Sequence, residues 1–347
     1  MALSFALKKA GGASAPTVAP VATFVAAHQG LPFKNPVTVH QVPASAYAKE
    51  LARNGVASTS TQQQEVTDTL AQLRAVGLVG ADADPAKVLA ALHEAPVQFG
   101  TRFVRVARLV GMMAGVDRAM EVSPASDQQI FDPFQYVNAT QPLQVDAPPV
   151  PPGAKQVATG ELGATLWYLM LASHGRPIDA LDAVDGWAGD RYTSYRLGNG
   201  TVCTDINFRG ASDTATASML VALGAWQRAL APGQATVTQN GLELVVHACD
   251  PGAKAKASGD RSVADLALPL TRTDIAADLY DKGKHTPNGP NGPVYTPDQA
   301  RCVGDAVVHQ LSEAELERYP SKSALTARLV ALALPGCMDA SSSPSTP

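Results

Sequence analysis

A mixed α+β fold is predicted, in which a small antiparallel sheet of hairpins is packed by helices and followed by a short helical module. Three features point to it. Two stretches alternate apolar and polar residues around tight-turn dipeptides, and several longer stretches repeat apolar residues at helical spacing. The 347 residues are also 46% hydrophobic and 17% charged, which suits a packed core and argues against wholesale disorder. A chain of this length can form one large domain or two modest ones.

The strands come first. Tyr192–Leu197 and Thr201–Phe208 flank the turn Gly198-Asn199-Gly200, and 235–239 and 242–249 flank Asn240-Gly241. Asn-Gly readily takes the positive backbone angles that a two-residue hairpin turn requires. A further strand is expected over Pro36–Val42, where Val37, Val39 and Gln41 alternate with Thr38, His40 and Val42. Within the hairpins, Leu242, Leu244 and Val246 share one face and Glu243, His247 and Cys249 the other. Val202, Ile206 and Phe208 likewise oppose Cys203, Asp205 and Asn207. Cys203 and Cys249 thus lie on the more polar face, where a bridge forms if the hairpins are neighbours.

Helices are expected over 44–52, over 61–76 with Gly77 as a stop, and after Asp84-Pro85, with Val88, Leu89 and Leu92 inward. Residues 99–113 place Phe103, Val106, Val110 and Met113 on one side and Arg102, Arg105 and Arg108 on the other, which reads as a solvated arginine face. The run 147–153 (APPVPPG) must be extended, because proline fixes φ and lacks a donor. Helices follow over 161–173, 178–184 and 213–230. Thr296-Pro297-Asp298-Gln299 reads as a capping box that opens a C-terminal helix. These segments divide the chain into a flexible arm (1–23), an α+β domain (24–252), a loop-rich linker (253–295), a cysteine-closed helical module (296–337) and a disordered tail (338–347).

Composition also bounds the partners. Net charge is −4 and the basic residues are scattered, so no stripe is available for a phosphate backbone and nucleic acid is not expected. No stretch reaches the ~20 apolar residues of a membrane span. The order of Met1–Leu7 before Lys8-Lys9 is the reverse of a secretory leader. Four cysteines fit two disulfides with three pairings open, Cys302 and Cys337 bracketing the last helical segment, or else four buried thiols. The disulfide reading implies an oxidising compartment.

The histidines are His28, His40, His93, His174, His247, His285 and His309. No two stand at the i, i+4 spacing of a helical zinc motif, and Pro96 follows the single His93-Glu94 pair, where it should spoil a ligand helix. Asp182, Asp185, Asp190 and Asp205 cluster around the first hairpin, as solvated residues or as an acid/base set. The most distinctive run is Asp185-Gly186-Trp187-Ala188-Gly189-Asp190-Arg191-Tyr192. It reads as structural, with Trp187 plugging a helix-to-strand turn and Asp190 and Arg191 satisfying the turn and its neighbours.

The residues 30–33 (GLPF) with Pro36-Val37, then Phe99 to Val116-Asp117, Pro124-Ala125-Ser126, Gly160–Gly163, Gly186–Tyr192 and Ala248–Gly252 together resemble exported actinobacterial zinc metallopeptidases over roughly 24–252. The segment 296–337 more weakly resembles small cysteine-closed modules of exported proteins. The resemblance implies a zinc-peptidase scaffold. However, the HExxH helix and its acidic ligand, expected between Val79 and Phe99, have no counterpart in the short Gly80–Gln98 segment. Zinc catalysis needs about three protein ligands and a base, so no ligand is carried over. The expectation is a non-catalytic, extracytoplasmic, metallopeptidase-like binding or scaffold protein. It would have no catalytic, metal or cofactor-binding residues and a protein or cell-envelope partner. The competing expectation is a hydrolase whose active site draws on distant residues.

Overall fold

The fold was analysed in a computed structural model, which describes residues 60–256, 266–285, 295–312, 315 and 324–338. These belong to a unit running from 59 to 347. The strand expected at 36–42, the helix at 44–52, the arm 1–23 and the tail beyond 338 lie outside the described residues.

In chain order the elements are α1 (Ser60–Ala75), α2 (Pro85–Glu121), α3 (Gln128–Phe131), α4 (Pro133–Val137), β1 (Lys155–Gly160), α5 (Gly163–Ala172) and α6 (Pro177–Asp185). They continue with β2 (Trp187–Arg196), β3 (Val202–Gly210), α7 (Asp213–Ala229), β4 (Ala235–Asn240), β5 (Glu243–Cys249), α8 (Ala267–His285), α9 (Pro297–Val308) and α10 (Ala324–Met338). The architecture is α+β, as the patterning predicts. The five strands are antiparallel in the order β1-β2-β3-β5-β4.

The two hairpins meet through β3 and β5, in a register that sets Cys203 directly opposite Cys249 and Asp205 opposite His247. The period-two reading is therefore met. Ile206, Phe208, Leu244 and Val246 are fully buried on one face, with the Trp167 ring of α5 edge-on to Phe208 at 5.5 Å. From α7, Met219, Leu223 and Trp226 are fully buried in the same core, and the Trp226 indole donates to the Val76 carbonyl at the end of α1. The opposite face carries the cysteines. Both bridges form, Cys203–Cys249 across the sheet and Cys302–Cys337 between α9 and α10.

Four expectations change. First, α2 runs unbroken through Pro96. An interior proline removes one backbone donor and crowds the carbonyl four residues earlier, but here it does not end the helix; the break in helical geometry falls at Met112 (φ 54°). Second, the arginine face of α2 is not simply solvated. Arg102 and Arg105 pair with Asp274, and Arg105 also with Asp278, both on α8. Third, α8 itself fills much of the stretch read as a loop-rich linker, and Leu268, Ile275, Ala276 and Ala277 place it in the core. Fourth, the edge strand beside β2 is β1, which had no sequence signal. The capping box of α9 is complete: the Thr296 hydroxyl accepts from the Gln299 amide while the Gln299 side chain accepts from the Thr296 amide.

Candidate functional site

The run from Gly186 to Tyr192 organises the centre of the molecule. Trp187 begins β2 and is buried, and a bulge at Ala188 lets the strand turn around it. Gly189 is required by closeness: a Cβ there would lie 2.5 Å from the Leu143 carbonyl oxygen, and Leu143 donates its amide to Ala188. The extended segment containing the proline run is pinned across the sheet in the same way. Thr193 donates to the Pro148 carbonyl and Asn207 to that of Asp146.

Asp190 is a hub. Its carboxylate accepts from the Trp187 and Trp167 indoles at 2.7 and 2.9 Å, and from the Leu162 and Gly163 amides at 2.6 and 3.0 Å. The first amides of α5 have no intrahelical partners, so a carboxylate there completes the helix end. Asp127 does the same for Thr165, accepting from its amide at 2.7 Å and its hydroxyl at 3.1 Å. Gly163 (φ 77°) must be glycine, since a Cβ would meet the Asp127 side chain at 2.8 Å. Burial pushes the Asp190 carboxyl above the ordinary aspartate range, with the four hydrogen bonds opposing the shift. Asp127 rises for the same reason, and nearby Glu161 rises from its own burial and the charges of both aspartates. Arg191 is exposed, and Tyr192 packs over Gly160 across the β1–β2 pair.

The other carboxylates singled out in the sequence do not converge on one place. Asp182 pairs with His309 at 2.8 Å, and that bond is the main reason the imidazole pKa is pushed up to about 9. Asp185 and Asp132 flank the buried Arg272 and the half-buried Arg301. The Arg272 guanidinium lies 2.6 and 2.7 Å from the two Asp185 oxygens, and Arg301 touches both carboxylates. Asp205 lies on the polar sheet face and accepts from Tyr195 and from His247 Nδ1, the latter at 2.6 Å. His174 is half-buried and bonded to the Gly77 carbonyl at 2.6 Å, and burial lowers its pKa. His28 and His40 lie outside the described residues.

A cleft of about 190 Å³ opens beside Trp187, with Gln128, Gln129, Gln135, Thr140 and Leu143 on its walls. Among the described residues, no charged side chain lines it. Three of its four wall glutamines are engaged, Gln141 by donating to the Ala139 carbonyl. Gln129 accepts from the Ala125 amide and donates to the Thr140 carbonyl, and Gln135 accepts from the Thr140 hydroxyl. Gln128 differs, being 4% exposed with neither its amide nitrogen nor its oxygen partnered among the described residues. A buried carboxamide left unpaired costs roughly 1–3 kcal/mol per group. Both amide atoms are shielded from solvent, so they reach an occupant of the cleft only when the side chain turns outward. Nothing in the local sequence marks Gln128, since glutamine carries no motif and its isolation appears only once α3 is packed. No family model, curated protein or solved structure matches the chain.

Proposed function

We propose that the chain is a non-catalytic, extracytoplasmic binding protein that holds a neutral, amide-bearing molecule in the cleft beside Trp187. The observation that carries this reading is Gln128, a wall residue of the cleft whose buried carboxamide has no partner among the described residues, none of which brings a charge to the lining. A carboxamide pairs best with another amide group, donating to its carbonyl while accepting from its N–H, and the indole of Trp187 supplies an apolar wall. Two disulfides support the extracytoplasmic setting. The resemblance of 24–252 to exported zinc metallopeptidases supports a history in which a peptidase scaffold lost its ligand helix and kept a binding role.

The test uses the oxidised protein as purified. Calorimetric titration with N-acetylglucosamine oligomers, and separately with a blocked dipeptide, should show saturable binding to at least one; Gln128→Leu should abolish it without lowering the thermal midpoint. The two arms distinguish a glycan from a peptide source of the amide. Absence of binding in both overturns the ligand assignment. Casein cleavage that stops on adding a chelator, together with one zinc per chain by elemental analysis, overturns the non-catalytic reading.

A further inference from the structure

The polar face of the sheet carries a second group of reactive side chains that the cleft does not use. Two adjacent rungs cross three strands there. One is Tyr195–Cys203–Cys249 and the next is Thr193–Asp205–His247. His247 and Cys249 stand two residues apart on β5 and so share a face, while Cys203 faces them from β3. The two sulfurs and an imidazole nitrogen all lie within 4.8 Å of one another. His247 Nε2 is 3.4 Å from the Cys249 sulfur, while Nδ1 donates to Asp205 at 2.6 Å. Tyr195 holds Asp205 in turn, with its hydroxyl 3.1 and 3.2 Å from the carboxylate oxygens.

This is the arrangement of a cation site held closed by a covalent bond. A carboxylate on one ring nitrogen fixes the tautomer that leaves the other nitrogen's lone pair free, as around metal-bound imidazoles. That lone pair faces the Cys249 sulfur. While the cystine is intact, its sulfurs are poor ligands, because metals bind the thiolate. Thiolates and imidazole at zinc distances of ~2.3 and ~2.0 Å sit roughly 3.5–4 Å apart in a tetrahedron. The imidazole already has this spacing from Cys249, and Cys249 is only partly buried, so its side chain has room to turn away from Cys203.

We propose that reduction of Cys203–Cys249 by a small dithiol opens a site for a soft divalent cation of the zinc class. Cys203, Cys249 and His247 are its ligands, Asp205 is the support behind the imidazole, and a fourth position is left open. In the reduction, a dithiol gives two electrons and two protons. Its sulfurs become an intramolecular disulfide and the protein sulfurs become two thiols. The cation then displaces the two thiol protons. Because the cation binds only the reduced pair, it draws the pair toward reduction by mass action. The sheet face is thereby a redox-gated metal site, independent of the cleft beside Trp187.

The experiment uses the full chain, oxidised and after dithiol treatment, with Co²⁺ as the spectroscopic probe and Zn²⁺ as competitor. The reduced protein should develop thiolate-to-cobalt absorption in the near ultraviolet and a tetrahedral visible spectrum at one cobalt per chain, discharged by zinc. The oxidised protein should show neither. His247→Ala, at a side chain 44% exposed, keeps the oxidised fold and should lose the one-per-chain spectrum. Asp205→Asn should keep it with affinity weakened about 10–100-fold. Cys203→Ser/Cys249→Ser, which retains Cys302 and Cys337, reports any contribution from the other pair. Full cobalt binding by that variant, no binding by the reduced parent, or loss of the far-ultraviolet β signal on reduction with no cobalt spectrum each overturns the proposal. None of these outcomes bears on Gln128, so the two sites fail separately.

Discussion

Asp190 and Asp132 are equally buried, each 2% exposed, yet they are held in the interior by different means. Around Asp190 every donor is neutral: two indoles and two backbone amides at a helix N-terminus. Around Asp132 stand the guanidiniums of Arg301 and Arg272, with one backbone amide from Phe134. Burial pushes the Asp190 carboxyl up, and its hydrogen bonds only partly offset this. Burial acts on Asp132 in the same direction, but there the Arg301 and Arg272 charges outweigh it and hold the carboxyl below its usual range. Oriented dipoles can therefore seat a buried carboxylate, whereas full charges can make it more acidic than it is in water.

The largest effect expected follows from removing charge where charge does the holding. Arg272→Met leaves Asp185 and Asp132 facing Arg301 alone, with Asp305 also losing its nearest guanidinium. Breaking a buried ion pair from one side costs about 5 kcal/mol at the upper end, to be read as a fall in the urea midpoint. A cost under about 1 kcal/mol would mean that the cluster is wet, and the contrast with Asp190 would collapse. Asp190→Ala should cost slightly less, about 4 kcal/mol, from four donors left without an acceptor. The intrinsic fluorescence should change with it, because two indoles lose their partner.

Acid titration gives the smallest effect but separates the two by sign. The Asp132 pKa is lowered on folding from 3.8, so its stabilisation stands above that value and disappears as pH falls through the lower folded one. The Asp190 pKa is raised, so its contribution is complete below 3.8 and is lost as pH rises through the higher folded value. Urea midpoints of Asp132→Asn and Asp190→Asn, each measured against the parent from pH 7 to pH 3, should diverge in opposite directions. Parallel curves would contradict the distinction.

What was legible in the sequence was what repeats or punctuates. Alternation in the two hairpins placed Cys203 and Cys249 on one face, and the register set them opposite each other. Thr296 to Gln299 announced a helix start in its own side chains. Elements whose polar residues turn inward were hidden. In helix α8, Thr271, Arg272 and Thr273 are as enclosed as Leu268 and Ile275, and Asp274 and Asp278 face the arginines of α2, so its sequence does not divide into an apolar and a solvent stripe. Its arginine reads as surface until the carboxylates around it are known. Strand β1 has the reverse problem, being largely exposed and defined by its pairing with β2. The polar-face group was half visible, since Asp205, His247 and Cys249 shared a predicted face. Gln128 was invisible, because its meaning lies in the partner it lacks.

The sheet bridge also has a topological consequence. Its two ends are 46 residues apart in the chain, and between them run the rest of β3, all of α7, the hairpin loop and both strands of the second hairpin. That whole excursion is a covalent loop. A protease that cuts between Gly210 and Asp213, or at the Asn240-Gly241 turn, therefore severs the backbone without releasing a fragment. The nicked molecule gains one water but stays a single covalent assembly until the sulfurs part, so the integrity of this half of the protein follows the redox potential of its surroundings as much as the continuity of its chain.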